Sequence, residues 1–374
     1  MSTSNAERFL TSLLSGADIR INGNRPFDIQ VKDDRFFERV IRDGALGAGE
    51  SYMDGWWEAE QLDETFNKIL RARLDEKLKG ASFKTKWHLL RSRLFNLQNL
   101  KRSRQVAEQH YDLGNNFYED MLGPTMNYTC AFWKDGDDLD QAQRNKMEMV
   151  CQKLELKPGM KILELGCGWG AFAKYAAENY GAKVTAYNIS TQQVEYARKI
   201  NQGLPVKIIQ DDYRKAAGEF DRVLSIGIME HVGYKNYRHY MELVNRTLKD
   251  DGIAFVHTIG NNVSGTTANA WTTKYIFPNG MLPSIAQLSK AMEGLFVIED
   301  IQNIGPHYDP TLMAWYHNFE QNWPKYQERY GDRFYRMWRY YLLSSAGGFR
   351  SRQTQLWQIV FTKPGRKLPG RVCL

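Results

Sequence analysis

Residues 163–170, LELGCGWG, place glycines at the alternate positions Gly166, Gly168 and Gly170, directly after an apolar run. A strand that ends in such an elbow offers bare backbone that a ligand can approach closely. Three readings are open here: a nucleotide phosphate, a sulfonium cofactor, or a plain tight turn. A dinucleotide site asks for G-x-G-x-x-G, with the third glycine one place later. This chain instead reads E-x-G-x-G-x-G, starting at Glu164. Other residues able to do chemistry lie downstream. Asn188 closes "AYNIS", where an acid often takes ribose hydroxyls; an amide can still donate and accept there. Asp212 and Tyr213 follow the next apolar run, and Glu230, His257 and Tyr308 come later. Each has a plainer reading: Asp212 as a loop acid, Tyr213 as a half-buried aromatic, Glu230 as a helix-capping acid, Tyr308 as a turn aromatic. His231 reads as a structural histidine and Cys130 as a small buried hydrophobe.

The elements that must position these groups are legible as a pattern. From Lys157 onward, strands alternate with helical stretches, which predicts βαβ units and a parallel sheet. The strands are MKILELG, KVTAYNI, VKIIQDD, FDRVLSIG, GIAFVHTIG, FVIEDIQNI and LWQIVFTK, the last placed as a hairpin partner inserted at the sheet edge. Ser190 caps the helix after the second strand. Two aromatic-rich helices are expected between Leu312 and Ala346. Residues 1 to about 80 read as a small mixed α/β unit. It has a short helix, a hairpin in IRINGNRPFDIQV turning at Asn22-Gly23, and a helix around RFFERVIRDG. GALGAGESYMDGWWE reads as a tight loop over a hydrophobic floor or an exposed apolar contact, with buried structural use favoured.

Composition narrows the class of protein. The 374 residues are 43% apolar, and no run approaches the roughly eighteen apolar residues of a bilayer span. The first residues lack a basic start followed by a long apolar stretch, so the expectation is a cytoplasmic protein. Cys130, Cys151, Cys167 and Cys373 show no C-x-x-C pairing, so neither a disulfide framework nor a metal site is expected. The net charge of +7 is uneven: residues 68–104 hold twelve Lys or Arg against Asp75 and Glu76. Within them Trp87, Leu90, Leu94 and Leu97 recur at helical spacing among basic side chains. Such a helix can lie on an anionic membrane, or serve as an ordinary interdomain helix; no nucleic-acid motif supports a third use.

Several long stretches together carry a resemblance: HYDLGNNFYEDML, NYTCAFW, LELGCGWG, SIGIMEHVG, HTIG, KYIFPNGMLPS, HYDPTLMAWY and LWQIVF. They resemble the cyclopropane-fatty-acyl-phospholipid synthases and the related mycolic acid cyclopropane synthases. GESYMDGWWE is similar to the additional amino-terminal domain of the phospholipid-acting branch, so the likeness spans nearly the whole chain. It implies the class I methyltransferase fold, an α/β seven-stranded Rossmann-like sheet, beside a small N-terminal α/β domain. The expected division is an accessory lipid-surface domain at 1–85, a basic amphipathic linker helix at 86–108 and a catalytic domain at 109–374.

The implied activity passes a methylene from S-adenosylmethionine to the cis double bond of an unsaturated phospholipid acyl chain. The alkene attacks the sulfonium methyl, the skeleton gains carbocation character, and ring closure requires a base in a water-poor pocket. By resemblance that base is a bound bicarbonate, held by Glu230, His257 and Tyr308 and by backbone groups of Cys130 and Ile259. Cofactor contacts carried over in the same way are Tyr128, Thr129, Glu164, Gly166, Cys167, Gly168, Trp169, Gly170, Asn188, Ile189, Gln193, Asp212, Tyr213 and Ile226. No metal is implied. A homodimer and peripheral attachment to the inner face of an anionic membrane follow from the resemblance and from the basic segment, respectively. Relatives often carry a cysteine where this chain has Ser345; the chemistry calls for no thiol there. Alternative readings are a methyl-branching or other lipid or small-molecule methyltransferase, and a lipid-surface scaffold with a vestigial cofactor site.

Overall fold

The structure, a computed structural model, describes residues 3–74, 113–266 and 269–367. The basic segment at 86–108 and Cys373 lie outside these residues. Contacts divide the chain into two compact units, the first drawing on 1–95, 266–279 and 308–354, the second on 96–265, 280–307 and 355–374.

The second unit is a seven-stranded sheet. Its strands are β3 (Lys161–Leu165), β4 (Lys183–Asn188), β5 (Val206–Gln210), β6 (Phe220–Ile226), β7 (Leu248–Asn261), β8 (Val297–Asn303) and β9 (Thr354–Thr362). They lie in the order β5-β4-β3-β6-β7-β9-β8. The pairs β5/β4, β4/β3, β3/β6 and β6/β7 are parallel, and β8/β9 is antiparallel. Four of the five residues of β3 are buried in succession, the run expected of a strand covered on both faces. Helices Leu139–Lys153, Ala171–Tyr180 and Thr191–Ile200 contribute Val150, Ala173 and Val194 to one core. Helix Tyr237–Thr247 contributes Tyr240 and Val244 to the other.

All seven strands read from the sequence are present. One placement differs: the last strand, β9, sits between β7 and β8, and β8 is the edge. Its buried pattern explains this, since seven of its nine residues are inaccessible, as an interior strand requires, whereas β8 keeps none buried.

The first unit is mainly helical. Helices Thr3–Ser15, Arg35–Asp43, Ala45–Met53 and Leu62–Arg71 are joined in it by Ala270–Tyr275, Tyr308–Asn322 and Gln327–Arg350. Two short strands, β1 (Gln30–Val31) and β2 (Trp57–Glu58), pair antiparallel.

Two expectations are corrected here. Asn22-Gly23 does not turn a hairpin, because the Asp28 carboxylate gathers the chain instead. It accepts from the backbone N–H of Arg20 (2.8 Å) and Arg25 (3.1 Å) and pairs with the Arg25 guanidinium. In place of the expected antiparallel ladder stands a single parallel bridge, Ile21 to Ile29. The glycine-rich GALGAGESYM stretch has the buried structural use that the sequence favours, with Gly47, Gly49, Tyr52 and Met53 buried, but as the helix Ala45–Met53 rather than a loop. Its glycines permit close packing: a Cβ at Gly47 would stand 2.3 Å from the Arg39 carbonyl oxygen, and one at Gly49 2.3 Å from Trp271 Cδ1.

Candidate active site

Strand order alone marks where a ligand belongs. From β3 the chain winds outward to β4 and β5, then returns to β6 beside β3, so the order reverses between β3 and β6. A crevice opens at the carboxyl ends of strands at such a reversal. The glycine elbow leaves β3 there, and Glu230 follows β6.

All three elbow glycines have left-handed φ: +85° at Gly166, +52° at Gly168 and +85° at Gly170. A Cβ at Gly166 would meet Ile228 Cδ1 at 2.1 Å, and one at Gly170 would meet Ala197 Cβ at 2.8 Å. At Gly168 a Cβ would meet nothing within 4 Å among the described residues. The outer two glycines thus serve packing, while Gly168 leaves open space beside bare backbone. The backbone N–H groups of Gly166 and Cys167 donate to Tyr187 O, both at 3.0 Å, tying the elbow to β4. Burial pushes the Cys167 thiol well up and leaves it unreactive.

Asn188 fastens the elbow from the side. Its Nδ2 donates to Gly168 O (2.8 Å) and to Gln193 Oε1 (2.9 Å), and its Oδ1 accepts from Ser190 N (3.1 Å). An aspartate could not donate to the Gly168 carbonyl, which accounts for an amide at this place. Ser190 caps helix Thr191–Ile200 by accepting from Gln193 N. Ile189 is half-buried between these two groups, and Ile226 ends β6 opposite His257. Asp212 is buried and holds Arg214, accepting at Oδ1 from its Nε at 2.8 Å. Tyr213 packs edge-on against Tyr240, with centroids 5.8 Å apart. Trp169, Tyr118 and Tyr128 form an aromatic run, with Tyr118 5.0 Å from Trp169 and 5.6 Å from Tyr128.

A second group of polar side chains is buried at the β6 and β7 ends. Glu230 lies in the short helix Met229–Val232, where its Oε1 accepts from Ile259 N at 2.7 Å. Its Oε2 is buried and has no hydrogen-bond partner among the described residues, and burial pushes the carboxyl up to about 7. His257, on β7, is 1% exposed. Its Nδ1 lies 3.3 Å from Gln358 Nε2, and its Nε2 has no partner among the described residues. In this amide orientation Gln358 donates to Nδ1, so the neutral ring carries its proton on Nε2. Burial, with Lys146 and Lys153 nearby, holds the imidazole well below 6.5 and therefore uncharged. The Ile259 N–H is thus already committed to Glu230. The buried Cys130 thiol donates to Ala131 O at 3.2 Å.

Tyr308 belongs to the first unit, where it begins helix Tyr308–Asn322 and packs on Phe349 with centroids 4.5 Å apart. Ser345 lies in helix Gln327–Arg350 of the same unit.

Sequence reasoning missed a buried lysine. Lys146, in helix Leu139–Lys153, is 0% exposed and donates to Asn127 Oδ1 (3.0 Å) and Thr129 Oγ1 (2.9 Å). Three residues earlier Gln143, equally buried, donates to Thr129 O at 2.9 Å. Burial pulls the ammonium down to about 8 and pushes the neighbouring Glu164 carboxyl up to about 8, with each charge opposing the other's shift. The signal was available: two polar residues interrupt the apolar stripe of Leu139, Ala142, Met147 and Val150.

A sheet in this order, with a glycine elbow after its first strand and an antiparallel β8/β9 pair, defines a class I S-adenosylmethionine-dependent methyltransferase. The family profile of mycolic acid cyclopropane synthetase matches residues 98–359, and the chain belongs to that family. It is 49% identical over 356 residues to the cyclopropane-fatty-acyl-phospholipid synthase of Escherichia coli K12, covering 95% of this chain and 93% of that protein. Against the sphingolipid C9-methyltransferase A of Emericella nidulans it is 35% identical, over 69% of this chain and 53% of that one. The solved mycolic acid cyclopropane synthase CmaA1, complexed with SAH and CTAB, superposes with TM-score 0.65 at 28% identity, over 70% of this chain and 98% of that one.

Proposed function

We propose that this enzyme adds a methylene to the cis double bond of unsaturated phospholipid acyl chains and closes a cyclopropane ring. The carrying observation is the two buried polar atoms Glu230 Oε2, just after β6, and His257 Nε2, on β7 opposite the end of β6, neither with a hydrogen-bond partner among the described residues. The identity to the E. coli phospholipid synthase supports the same substrate class. When bound, S-adenosylmethionine supplies an electrophilic methyl and bicarbonate a base for the proton that ring closure releases.

The residues present fit both groups. Open space at Gly168 suits a ligand lying against the elbow. Tyr128, Thr129, Glu164, Gly166, Cys167, Gly168, Trp169 and Gly170 would surround the cofactor's amino-acid end. Asn188, Ile189 and Gln193 would border its ribose, and Asp212, Tyr213 and Ile226 its adenine. A bicarbonate needs one donor and, for its hydroxyl, one acceptor. Neutral His257 offers the donor at Nε2, and ionised Glu230 offers the acceptor at Oε2. The Ile259 N–H fixes Oε1 and so aims the carboxylate, while Cys130 would contribute backbone. Near neutrality Glu230 stands close to its midpoint, so small changes in its surroundings set its charge. Burial of Glu230, His257 and Thr258 keeps water from a developing cation that it would trap as an alcohol.

No described helix is long and apolar enough to cross a membrane. Peripheral attachment to an anionic inner face rests on the basic charge of residues 68–104, and a homodimer on the family likeness alone.

The test incubates purified protein with unsaturated phospholipid vesicles, bicarbonate and labelled cofactor. A product one CH₂ heavier that has lost its double bond is expected. The likeness to a sphingolipid C9-methyltransferase makes methyl branching without ring closure the second reading; a product one CH₂ heavier that keeps its double bond would support it. Glu230→Gln puts an amide donor where an acceptor is needed, and turnover should fall by about a hundredfold or more with S-adenosylhomocysteine affinity kept. Tyr308→Phe is assayed in parallel. Lipid returned unaltered by the native enzyme would refute the proposal.

A further inference from the structure

Helix Leu139–Lys153 holds residues 127–132 by more contacts than a connecting segment needs. Phe132 N donates to Ala142 O (3.0 Å), Asn145 Nδ2 to Phe132 O (3.3 Å), and Gln143 Nε2 to Thr129 O (2.9 Å). Lys146 Nζ then reaches both the Asn127 and the Thr129 side chains. These residues sit at i, i+3 and neighbouring positions, so one helix face presents them all.

An ordinary core would not place an ammonium here. A fully buried lysine carries a large desolvation cost, and two neutral hydrogen-bond acceptors offset it only in part. The cost persists where the charge has a use. Lys146 is coupled by charge to Glu164, on the strand that leads into the glycine elbow, and to Cys130, and its charge also bears on His257. By hydrogen bonds it is joined to the segment that carries Tyr128, Thr129 and Cys130. Gln143 Oε1 is buried and has no hydrogen-bond partner among the described residues.

We infer that Lys146, with Gln143, is a positioning residue: the two clamp residues 127–130 against the glycine elbow in the geometry that receives S-adenosylmethionine. The inference rests on the cofactor reading above. Lys146 acts through Thr129 and Asn127 and touches no reacting atom. The clamp is preorganised, since its donors are buried and fixed before any ligand arrives, so binding spends little on ordering the segment.

The test is calorimetric titration of the full-length protein with S-adenosylhomocysteine. Lys146→Met keeps length and apolar bulk but removes the charge and both donors; Gln143→Leu removes the second grip. Each should weaken binding by about tenfold or more, the scale of a lost charge-assisted hydrogen bond for Lys146 and of a buried carbonyl left without its donor for Gln143. Asn127→Leu removes one of the two oxygens through which Lys146 acts, at a residue outside the proposed cofactor contacts. The double variant Lys146→Met/Asn127→Leu should bind no worse than Lys146→Met alone, a coupling that loss of core stability would not produce. Thermal midpoints are recorded for every variant. If Lys146→Met does not fold, Gln143→Leu with the native protein decides the question. Unchanged affinity in the folded single variants, or fully additive losses in the double variant, overturns the clamp. A native protein that binds no S-adenosylhomocysteine would instead sink the cofactor reading itself.

Discussion

At Asn188 a single functional group decides between two side chains that differ by little else. Its Nδ2 gives one hydrogen to Gly168 O and the other to Gln193 Oε1, and Oδ1 takes the Ser190 N–H, so every polar atom is used within the protein. Asn188→Asp keeps the shape and the Oδ1 acceptor but sets a carboxylate oxygen against a carbonyl oxygen. The elbow should loosen, and S-adenosylhomocysteine affinity should fall by about tenfold, the consequence of a lost hydrogen bond plus a repulsive contact. Titration of the folded variant measures it; an unchanged affinity would show that the elbow needs no lateral tie. Glu230 and His257 follow the same logic from the other direction, since each has one polar atom engaged and one left over. Its place at the end of the second strand marked Asn188, and the family resemblance marked Glu230 and His257, as chemically interesting. Which of their atoms are engaged and which are spare depended on neighbours such as Ile259 and Gln358, which are remote in the chain.

The glycine elbow shows how an element divides labour among identical residues. Gly170→Ala would combine a left-handed φ of +85° with a Cβ 2.8 Å from Ala197 Cβ, and the helix Thr191–Ile200 leaves that methyl little room to move. Its thermal midpoint should drop clearly, the loss amounting to about 2 kcal/mol or more. Gly168→Ala meets no atom of the described residues, so its stability cost should stay near the conformational share of about 1 kcal/mol. Its methyl would instead fill the open space, and its larger effect should be on cofactor binding. Opposite rankings of the two variants in melting and in titration are the expected signature. The sequence displayed three equivalent glycines, and only the packing of Ile228 and Ala197 tells them apart. The same holds for GALGAGESYM, where glycines that read as loop serve a helix that needs close neighbours. The strands were legible because burial on both faces writes itself as apolar runs, whereas the place of β9 inside the sheet is a pairing choice that no local pattern encodes.

For the whole molecule, the buried titratable groups set how stability follows pH. His257 is held below 6.5 in the folded state, so the unfolded chain binds the proton more readily. Stability from this residue is full above pH 6.5 and is lost as pH falls below it. A His257→Gln variant should therefore gain thermal midpoint relative to the native protein as pH drops from 7 toward 5. Glu164 behaves oppositely: its folded carboxyl is raised from 4.5 to about 8, so the folded chain holds the proton more tightly and stability declines as pH rises across that span. Glu164→Gln, whatever its absolute stability, should gain on the native protein from pH 5 to pH 8. Melting curves at several pH values check both slopes, and parallel curves would show that neither group is shifted.

The sequence by itself determined the alternation of strands and helices, the elbow after the first sheet strand, and the family that those stretches announce. Local hydrophobic period and short motifs suffice for these, because both are properties of neighbouring residues. Tertiary structure alone decided that Lys146 is a buried ammonium, that the Ile259 N–H belongs to Glu230, and that segments 266–279 and 308–354 count with the first unit. Burial and hydrogen-bond partnership arise between residues far apart in the chain, and desolvation by that surrounding protein gives these side chains their charge and their use.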